Sequence, residues 1–402
     1  MTEAKKLWQV GQIESNKLVE NFLASDDTNI DQRLIPFDVE ASKAHANMLQ
    51  KISVLTKEEN KELQKCLDEI LVLYSQGKFT VKVEQEDCHT AIEEYLTAKC
   101  GESGKKIHTG RSRNDQVLVA MRLLMRQELE TIKSKLDKNI DAFSVASKKF
   151  ESQDMPGYTH YQKAMPTTVE VWLLSFRDAL SDILPFLKAL ENLLDQNPLG
   201  SASGFGIRNF TLDREQTARE LGFSRVQENP IYCGFSRGYF ENIFLQTLSQ
   251  IAIVLSRLAS DLLLFSTSEF DFIKIPTVFT TGSSIMPQKR NPDTVEIMQG
   301  KLVSFLSKQD AIQNIIIKLS SGYHREFQLV KKPFFEGVEI IRDCLEISAM
   351  LISGIDYKSE NLEEAMTKDL FVTEKVYDLV KKGLPFREAY RQIKKEITDE
   401  KN

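Results

Sequence analysis

Two long stretches of this 402-residue chain contain no helix breaker, and they constrain the fold more than any other feature. Residues 111–155 include neither glycine nor proline, and residues 239–275 again include neither. In the first stretch Leu118, Met121, Met125, Leu129, Ile132, Leu136, Ile140 and Phe143 recur in steps of three and four. In the second, Phe240, Phe244, Leu248, Ile251, Leu255, Leu258, Leu262 and Phe265 do the same. A period near 3.5 keeps one apolar seam on one side of a helix and turns it toward a partner helix. At 1.5 Å per residue each stretch predicts a helix roughly 50 Å long. With only 18 Gly and 11 Pro overall, the chain also lacks the turn every ~8–12 residues that a sandwich or barrel requires. The expected class is all-α, built on a long helical bundle.

Further helices are predicted over 38–52, 57–75, 168–184, 293–319 and 339–352, with Gly383-Leu384-Pro385 interrupting the carboxyl-terminal region. Thr167 and Glu170 read as a capping box. Asn291, Pro292 and Asp293 read as an N-cap, a first-turn proline and a first-turn acid. Three domains are expected: a helical one over 1–107, the long bundle over 108–353 and a small helical one over 354–402.

The balance of 52 basic against 58 acidic residues, a formal charge of −6, argues against nucleic acid or an anionic membrane as partner. The apolar runs at 251–255 and 262–265 fall short of the ~18 residues of a membrane span, and MTEAKKLWQV lacks the apolar centre of a secretory signal. Five scattered cysteines without a CxxC predict neither a disulfide framework nor a zinc site. A reduced, cytoplasmic protein is expected. Gly101-Glu-Ser-Gly104-Lys105-Lys106 lacks P-loop spacing, and Gly204-Phe-Gly206 lacks the third glycine of a dinucleotide site, so both read as turns and no cofactor is expected. Cys88 and His89 have no second ligand cluster at metal spacing, and His45 reads as structural, so no metal is expected either.

Chemistry gathers in polar, glycine-containing loops at helix junctions. The first, His108-Thr-Gly-Arg-Ser-Arg-Asn-Asp115, reads as a turn followed by a cap at Asn114 or Asp115. Its two arginines at a helix N-terminus would repel the helix dipole unless a negative charge sits between them, so an anion site is an equal alternative. The second, 156–163, holds His160 among hydroxyl and amide groups, a setting suited to proton transfer or to a plain structural role. The third, 280–292, places Ser283 and Ser284 after a glycine, then Lys289 and Arg290, then a helix start; its positive field would favour an ionised serine. Glu296, one turn into that helix, could orient a histidine. The stretch 322–332 adds Arg325, Lys331 and Lys332. Together these loops suit a substrate with several carboxylates.

Gly282-Ser-Ser-Ile-Met-Pro-Gln-Lys-Arg-Asn-Pro292 closely resembles the signature loop of the fumarase/aspartase superfamily. The segments 108–117, Pro156-Gly-Tyr-Thr-His160, Gly383-Leu-Pro-Phe-Arg-Glu-Ala389, Glu86-Asp-Cys-His89 and Lys6-Leu-Trp8 are similar to the argininosuccinate lyases within it. The resemblance implies a three-domain, all-α homotetramer whose sites draw loops from three subunits. It also implies reversible cleavage of argininosuccinate to arginine and fumarate without metal or cofactor. On the matching positions it implies Ser283 as base, with Lys289 near the developing charge, and His160 as acid with Glu296 as its partner; the opposite division of the first two roles stays open. Ser25, Arg113, Asn114, Thr159, Asn291, Tyr323, Gln328 and Lys331 fall on substrate-contact positions. The chain departs from the family at Gln9-Val-Gly-Gln12, at Glu326-Phe-Gln-Leu-Val-Lys331 and over 229–238, where many members carry Asp-Arg-Asp. It also stops earlier than typical members, which predicts a trimmed third domain. A sibling enzyme acting on adenylosuccinate and a non-catalytic crystallin-like homologue are the alternatives.

Overall fold

The computed structural model describes residues 17–24 and 26–400; Lys6-Leu-Trp8, Gln9–Gln12 and Ser25 lie outside the described residues. The chain opens with α1 (Lys17–Ala24), α2 (Asp27–Ile30), α3 (Ile35–Lys51), α4 (Lys57–Ser75), α5 (Cys88–Cys100) and α6 (Glu102–Lys106). The first long helix, α7 (Arg113–Lys149), leads into a hairpin of β1 (Asp154–Thr159) and β2 (Gln162–Thr168). Then come α8 (Val169–Ser181), α9 (Leu184–Leu194), α10 (Arg214–Glu220) and the second long helix, α11 (Pro230–Phe265). Short strands β3 (Ile273–Lys274), β4 (Thr281–Gly282) and β5 (Arg290–Asn291) precede α12 (Asp293–Ile316) and α13 (Lys331–Gly354). The chain closes with β6 (Asp356–Tyr357), α14 (Ser359–Ala365), α15 (Val372–Lys381) and α16 (Phe386–Glu400). The class is all-α as expected, and the three strand pairs, β1–β2, β3–β6 and β4–β5, are all antiparallel.

The chain groups into two compact units, Met1–Ile132 with Pro185–Ser249 and Phe305–Ile340, and Lys133–Leu184 with Gln250–Ser304 and Ile341–Asn402. In the first, Ala41, Ala44, Val119, Leu123, Leu199, Ala218, Leu221, Phe223 and Val226 form one buried cluster. Gly337 lets helices approach there: a Cβ at this position would lie 3.1 Å from Leu245 and 3.4 Å from Phe305. In the second unit the Trp172 indole donates to Asp261 at 2.8 Å, and Val376, Ala389 and Ile393 pack α15 against α16.

Every predicted seam residue of α7 is buried except Ile140, and every one of α11 is buried. At the exception Asn139 takes the inward position, its amide donating to the Leu345 carbonyl at 2.8 Å. The helix α11 starts nine residues before the predicted segment and breaks at Arg237 (ψ 127°) and Gly238 (φ 74°). Contrary to the run-length expectation, α11 is long and apolar enough to cross a membrane, with mean hydropathy 1.6 over its most apolar window; half of that window is buried within the protein.

Several local expectations are corrected. Residues 154–168 form a hairpin rather than a loop, because His160 (φ 51°) and Tyr161 (φ 59°) make the tight reversal between the strands. The helix α8 is capped by Thr168, whose hydroxyl accepts from the Val171 amide: the ladder runs on past Thr167 to Thr168 opposite Asp154, so the helix begins one residue later than expected. Asn291 does not cap α12: it pairs with Thr281 across the β4–β5 ladder, and the Pro292 carbonyl receives the first amides, Val295 and Glu296. At α7 neither Asn114 nor Asp115 is the cap. The Ser112 carbonyl accepts from Gln116, and the Asp115 carboxylate reaches back to the Ser112 amide at 2.8 Å.

Candidate active site

The sequence-predicted residues fall into two sets, one in each unit. In the first unit Arg113, Tyr323, Gln328 and Lys331 line a narrow cleft of about 50 Å³. Asp27, Asp31, Glu86, Asp87, His89, Arg237 and Arg325 line it with them. Asn114 follows Arg113 on the first turn of α7 and is half-buried.

The charges of this cleft are arranged in layers. At its floor the Lys331 ammonium, 3% exposed, donates to Asp31 Oδ1 at 2.6 Å and lies 2.8 Å from Asp27 Oδ2. One cation thus bonds two carboxylates directly, with the buried Arg237 as a second cation acting on the cluster. Burial pushes Asp27 up to about 6 against the pull of Lys331, while the two carboxylates outweigh burial at Lys331 and hold its pKa above the usual lysine value. Nearer the entrance Arg113 donates to the Thr90 hydroxyl at 2.7 Å and pairs with Glu86 and Asp87 at 3.3 and 3.5 Å. The Gln328 amide donates to the Leu23 carbonyl at 2.8 Å, and Tyr323 stands exposed beside Phe327.

Behind the cleft, the anion that the two arginines of 108–115 seemed to need is supplied by the protein. Arg111 is buried against Asp38 at 3.4 Å and the Ser42 hydroxyl at 2.8 Å. His89 joins the same carboxylate, Nδ1 to Asp38 at 3.0 Å, and its pKa is raised because Asp38 and Asp87 outweigh burial. His45 is structural as expected: its Nε2 meets the Thr109 carbonyl at 3.0 Å, and burial holds it well below the usual histidine value.

Asp31, Cys88 and His89 bring possible ligand atoms within 4.8 Å of one another. The arrangement does not fit a metal. The Cys88 sulfur is 3.7 and 4.0 Å from the two ring nitrogens, so it lies over the imidazole face, away from the in-plane lone pair. Lys331 already occupies Asp31, and burial with three nearby carboxylates keeps the Cys88 thiol protonated.

Arg237 is the residue that sequence reasoning passed over. It sits at the break of α11, 3% exposed, and lines the cleft; its Nε lies 3.9 Å from Glu241 Oε1, its Nη2 donates to the Phe327 carbonyl at 3.4 Å, and its Nη1 lacks a hydrogen-bond partner. The break is braced: Gly238 donates its amide to the buried Glu241 carboxylate at 2.7 Å, and Arg122 holds the Ser236 hydroxyl at 3.1 Å. Burial lowers Arg122 to about 10. The signal present in the sequence was Gly238 inside an otherwise helical pattern. The pair Asp27 and Asp31, one helical turn apart, was equally readable as a two-carboxylate face.

In the second unit Thr159 and His160 occupy the exposed tip of the β1–β2 hairpin, above a hollow lined by Tyr158, Trp172, Phe265 and Phe270. Ser283 begins the loop between β4 and β5. Its Oγ accepts from the Met286 amide at 3.0 Å and from the Ile285 amide at 3.3 Å. Two N–H dipoles aimed at one hydroxyl oxygen stabilise its anion more than its neutral form. The Lys289 amide closes the loop on the Met286 carbonyl at 3.0 Å, and its side chain is exposed. The ladder pairs of Thr281 with Asn291 and Gly282 with Arg290 pin the loop's two ends. The Thr281 hydroxyl and the Asp293 carboxylate are hydrogen-bonded across that base. Glu296 is exposed on the first turn of α12, and among the described residues no ion pair joins it to His160.

A family model described as lyase matches residues 10–305. The argininosuccinate lyase of Thermotoga neapolitana is 44% identical over 99% of this chain and 100% of its own length. The chain belongs to the argininosuccinate lyase family. The argininosuccinate lyase of Sorangium cellulosum is 40% identical, over 98% of this chain and 90% of that protein. Among solved structures, a fumarate lyase:delta crystallin of Brucella melitensis superposes with a TM-score of 0.80 at 20% identity, covering 95% of this chain and 88% of that one. A class II fumarase of Schistosoma mansoni does so with 0.79 at 16%, covering 92% and 88%. These two establish the fumarase-type all-α fold.

Proposed function

We propose that the protein catalyses the reversible β-elimination that cleaves argininosuccinate into arginine and fumarate, the last step of arginine synthesis. The observation that carries the reading is Ser283, whose Oγ receives two backbone amides in a loop followed by Lys289. Removing a weakly acidic proton beside a carboxylate needs a strong base and a positive field for the charge that develops. The two amides supply the first by favouring the alkoxide, and Lys289 supplies the second. His160 then delivers a proton to the departing guanidinium nitrogen, with Glu296 orienting it. Asn114, Thr159, Asn291, Tyr323, Gln328 and Lys331 bind the substrate's carboxylate and amine ends, with Ser25, and Arg113 lines the entrance. No cofactor enters the reaction.

The protein works as a homotetramer in which each site draws on loops of three subunits. The exposure of His160 and Glu296, with no ion pair between them among the described residues, supports that arrangement. The test is fumarate release, followed in parallel from argininosuccinate and adenylosuccinate. Release from the first and not the second is expected; the reverse would transfer the protein to the sibling activity. Ser283→Ala should lower kcat by about 10²–10⁴, the contribution of a positioned acid or base. A variant with near-normal turnover removes Ser283 from the chemistry.

A further inference from the structure

Outside the cleft, two cysteines distant in sequence meet sulfur to sulfur. Cys66 on α4 and Cys100, the last residue of α5, place their Sγ atoms 2.9 Å apart, with the Cys100 thiol donating to Cys66. That is closer than ordinary van der Waals contact between sulfurs, and about 0.9 Å longer than the ~2.0 Å disulfide bond. Cys66 is 8% and Cys100 7% exposed, whereas Cys88 and Cys233 are fully buried and Cys344 is 2% exposed. The pair lies just below the surface ion pair of Lys99 and Glu69, and the space next to Gly101 is open.

We propose that Cys66 and Cys100 are a modification site at which a peroxide, entering from the surface, closes a reversible disulfide between α4 and α5. Burial and the hydrogen bond to Cys66 push the Cys100 thiol up to about 12, which makes Cys100 the resolving member of the pair. The Cys66 thiolate attacks hydrogen peroxide, forming an S–O bond, breaking O–O and releasing hydroxide. Cys100 then gives up its proton, its sulfur attacks the sulfenic acid of Cys66, and the S–S bond forms as hydroxide leaves and is protonated. In sum two thiols and one peroxide yield one disulfide and two waters. Because the pair stands at the far end of α5 from Asp87 and His89, on the order of 18 Å along the axis, the crosslink stiffens the helix pair and leaves the cleft open.

The test treats the full-length protein with a small excess of hydrogen peroxide and counts thiols after denaturation. Five titratable thiols should fall to three, with tryptic mapping showing the Cys66 and Cys100 peptides linked and dithiothreitol restoring five. The oxidised protein should melt about 3 °C or more above the reduced form, with fumarate release within twofold. Cys66→Ser and Cys100→Ser should each form no crosslink and show no rise in melting temperature. Five thiols retained in the wild type, a link to another cysteine, or sulfinic acid at Cys66 with Cys100 still reduced would each overturn the proposal.

Discussion

Replacing Lys331 by Met tests the electrostatic account of the cleft floor. The substitution keeps most of the side-chain volume and removes the ammonium that Asp31 holds at 2.6 Å and Asp27 at 2.8 Å. Two carboxylates would then be buried without the cation that bonds them directly, Arg237 remaining as a more distant charge, and losing one partner of a buried pair costs about 3–5 kcal/mol. The protein can relieve this by taking up protons. In the wild type Asp27 already stands at about 6, above its ordinary 3.8, so even with Lys331 present the folded form binds more protons than the unfolded one across that interval. Without the ammonium the folded-state value of Asp27 rises further, because Lys331 is what pulls it down. The folded variant therefore holds extra protons over a wider window, and its stability falls as pH rises through it. At ~1.4 kcal/mol per pKa unit, the deficit relative to wild type should be about 2 kcal/mol larger at pH 8 than at pH 5. Urea unfolding followed by circular dichroism at both pH values measures it, with m expected to stay constant. A deficit below about 1 kcal/mol at pH 8, or one of equal size at both pH values, would refute the shared-cation reasoning.

Three further outcomes are expected. Gly238→Ala should lower stability by about 2–4 kcal/mol and reduce fumarate release by displacing Arg237. The position has φ 74° and a Cβ would lie 2.5 Å from Ile316 Cγ2, so an unchanged melting temperature would show that the break can relax. The two buried histidines should titrate in opposite directions by NMR, His89 above and His45 below the ordinary value near 6.5. Their contributions to stability then differ in sign: that of His89 is full below about 6.5 and lost as pH rises through its folded value. His45 costs stability as pH falls below about 6.5, where the unfolded chain gains a proton that the folded one refuses. Finally, Thr168→Ala should cost about 1 kcal/mol and Thr167→Ala much less, because only Thr168 caps α8; equal effects would restore the capping box.

The helical scaffold could be read from the chain alone because its determinants are local. A seam in steps of three and four needs only its own neighbours to be recognised, and a stretch free of glycine and proline has no cheaper conformation to adopt. The superfamily loop 282–292 was legible for a related reason: a contiguous run keeps its Ser283 and Lys289 in one place whatever surrounds it. Where the reading failed, the deciding interaction was longer in range. The T-x-x-E pattern was present, but the ladder extends through Thr168, paired with Asp154, so the helix starts after it and the cap falls on Thr168. A two-residue reversal through His160 and Tyr161 carries no turn signal of its own, since neither residue favours positive φ; the pairing of the two strands imposes it.

What the sequence determined by itself was therefore the all-α class, the two long helices, the family and the residues from which a site can be built. Tertiary structure alone decided how their charges are spent. Arg111, a free cation in the sequence, is neutralised by Asp38 more than 70 positions away, and Lys331 is buried by Asp31, 300 positions away. Arg237, inconspicuous in the sequence, lines the cleft paired with Glu241 four residues on, its Nη1 without a hydrogen-bond partner. The physical reason is that helix periodicity repeats within a few residues, whereas the field at an ionisable group is set by whichever charges folding brings within a few ångströms, and no local pattern records them.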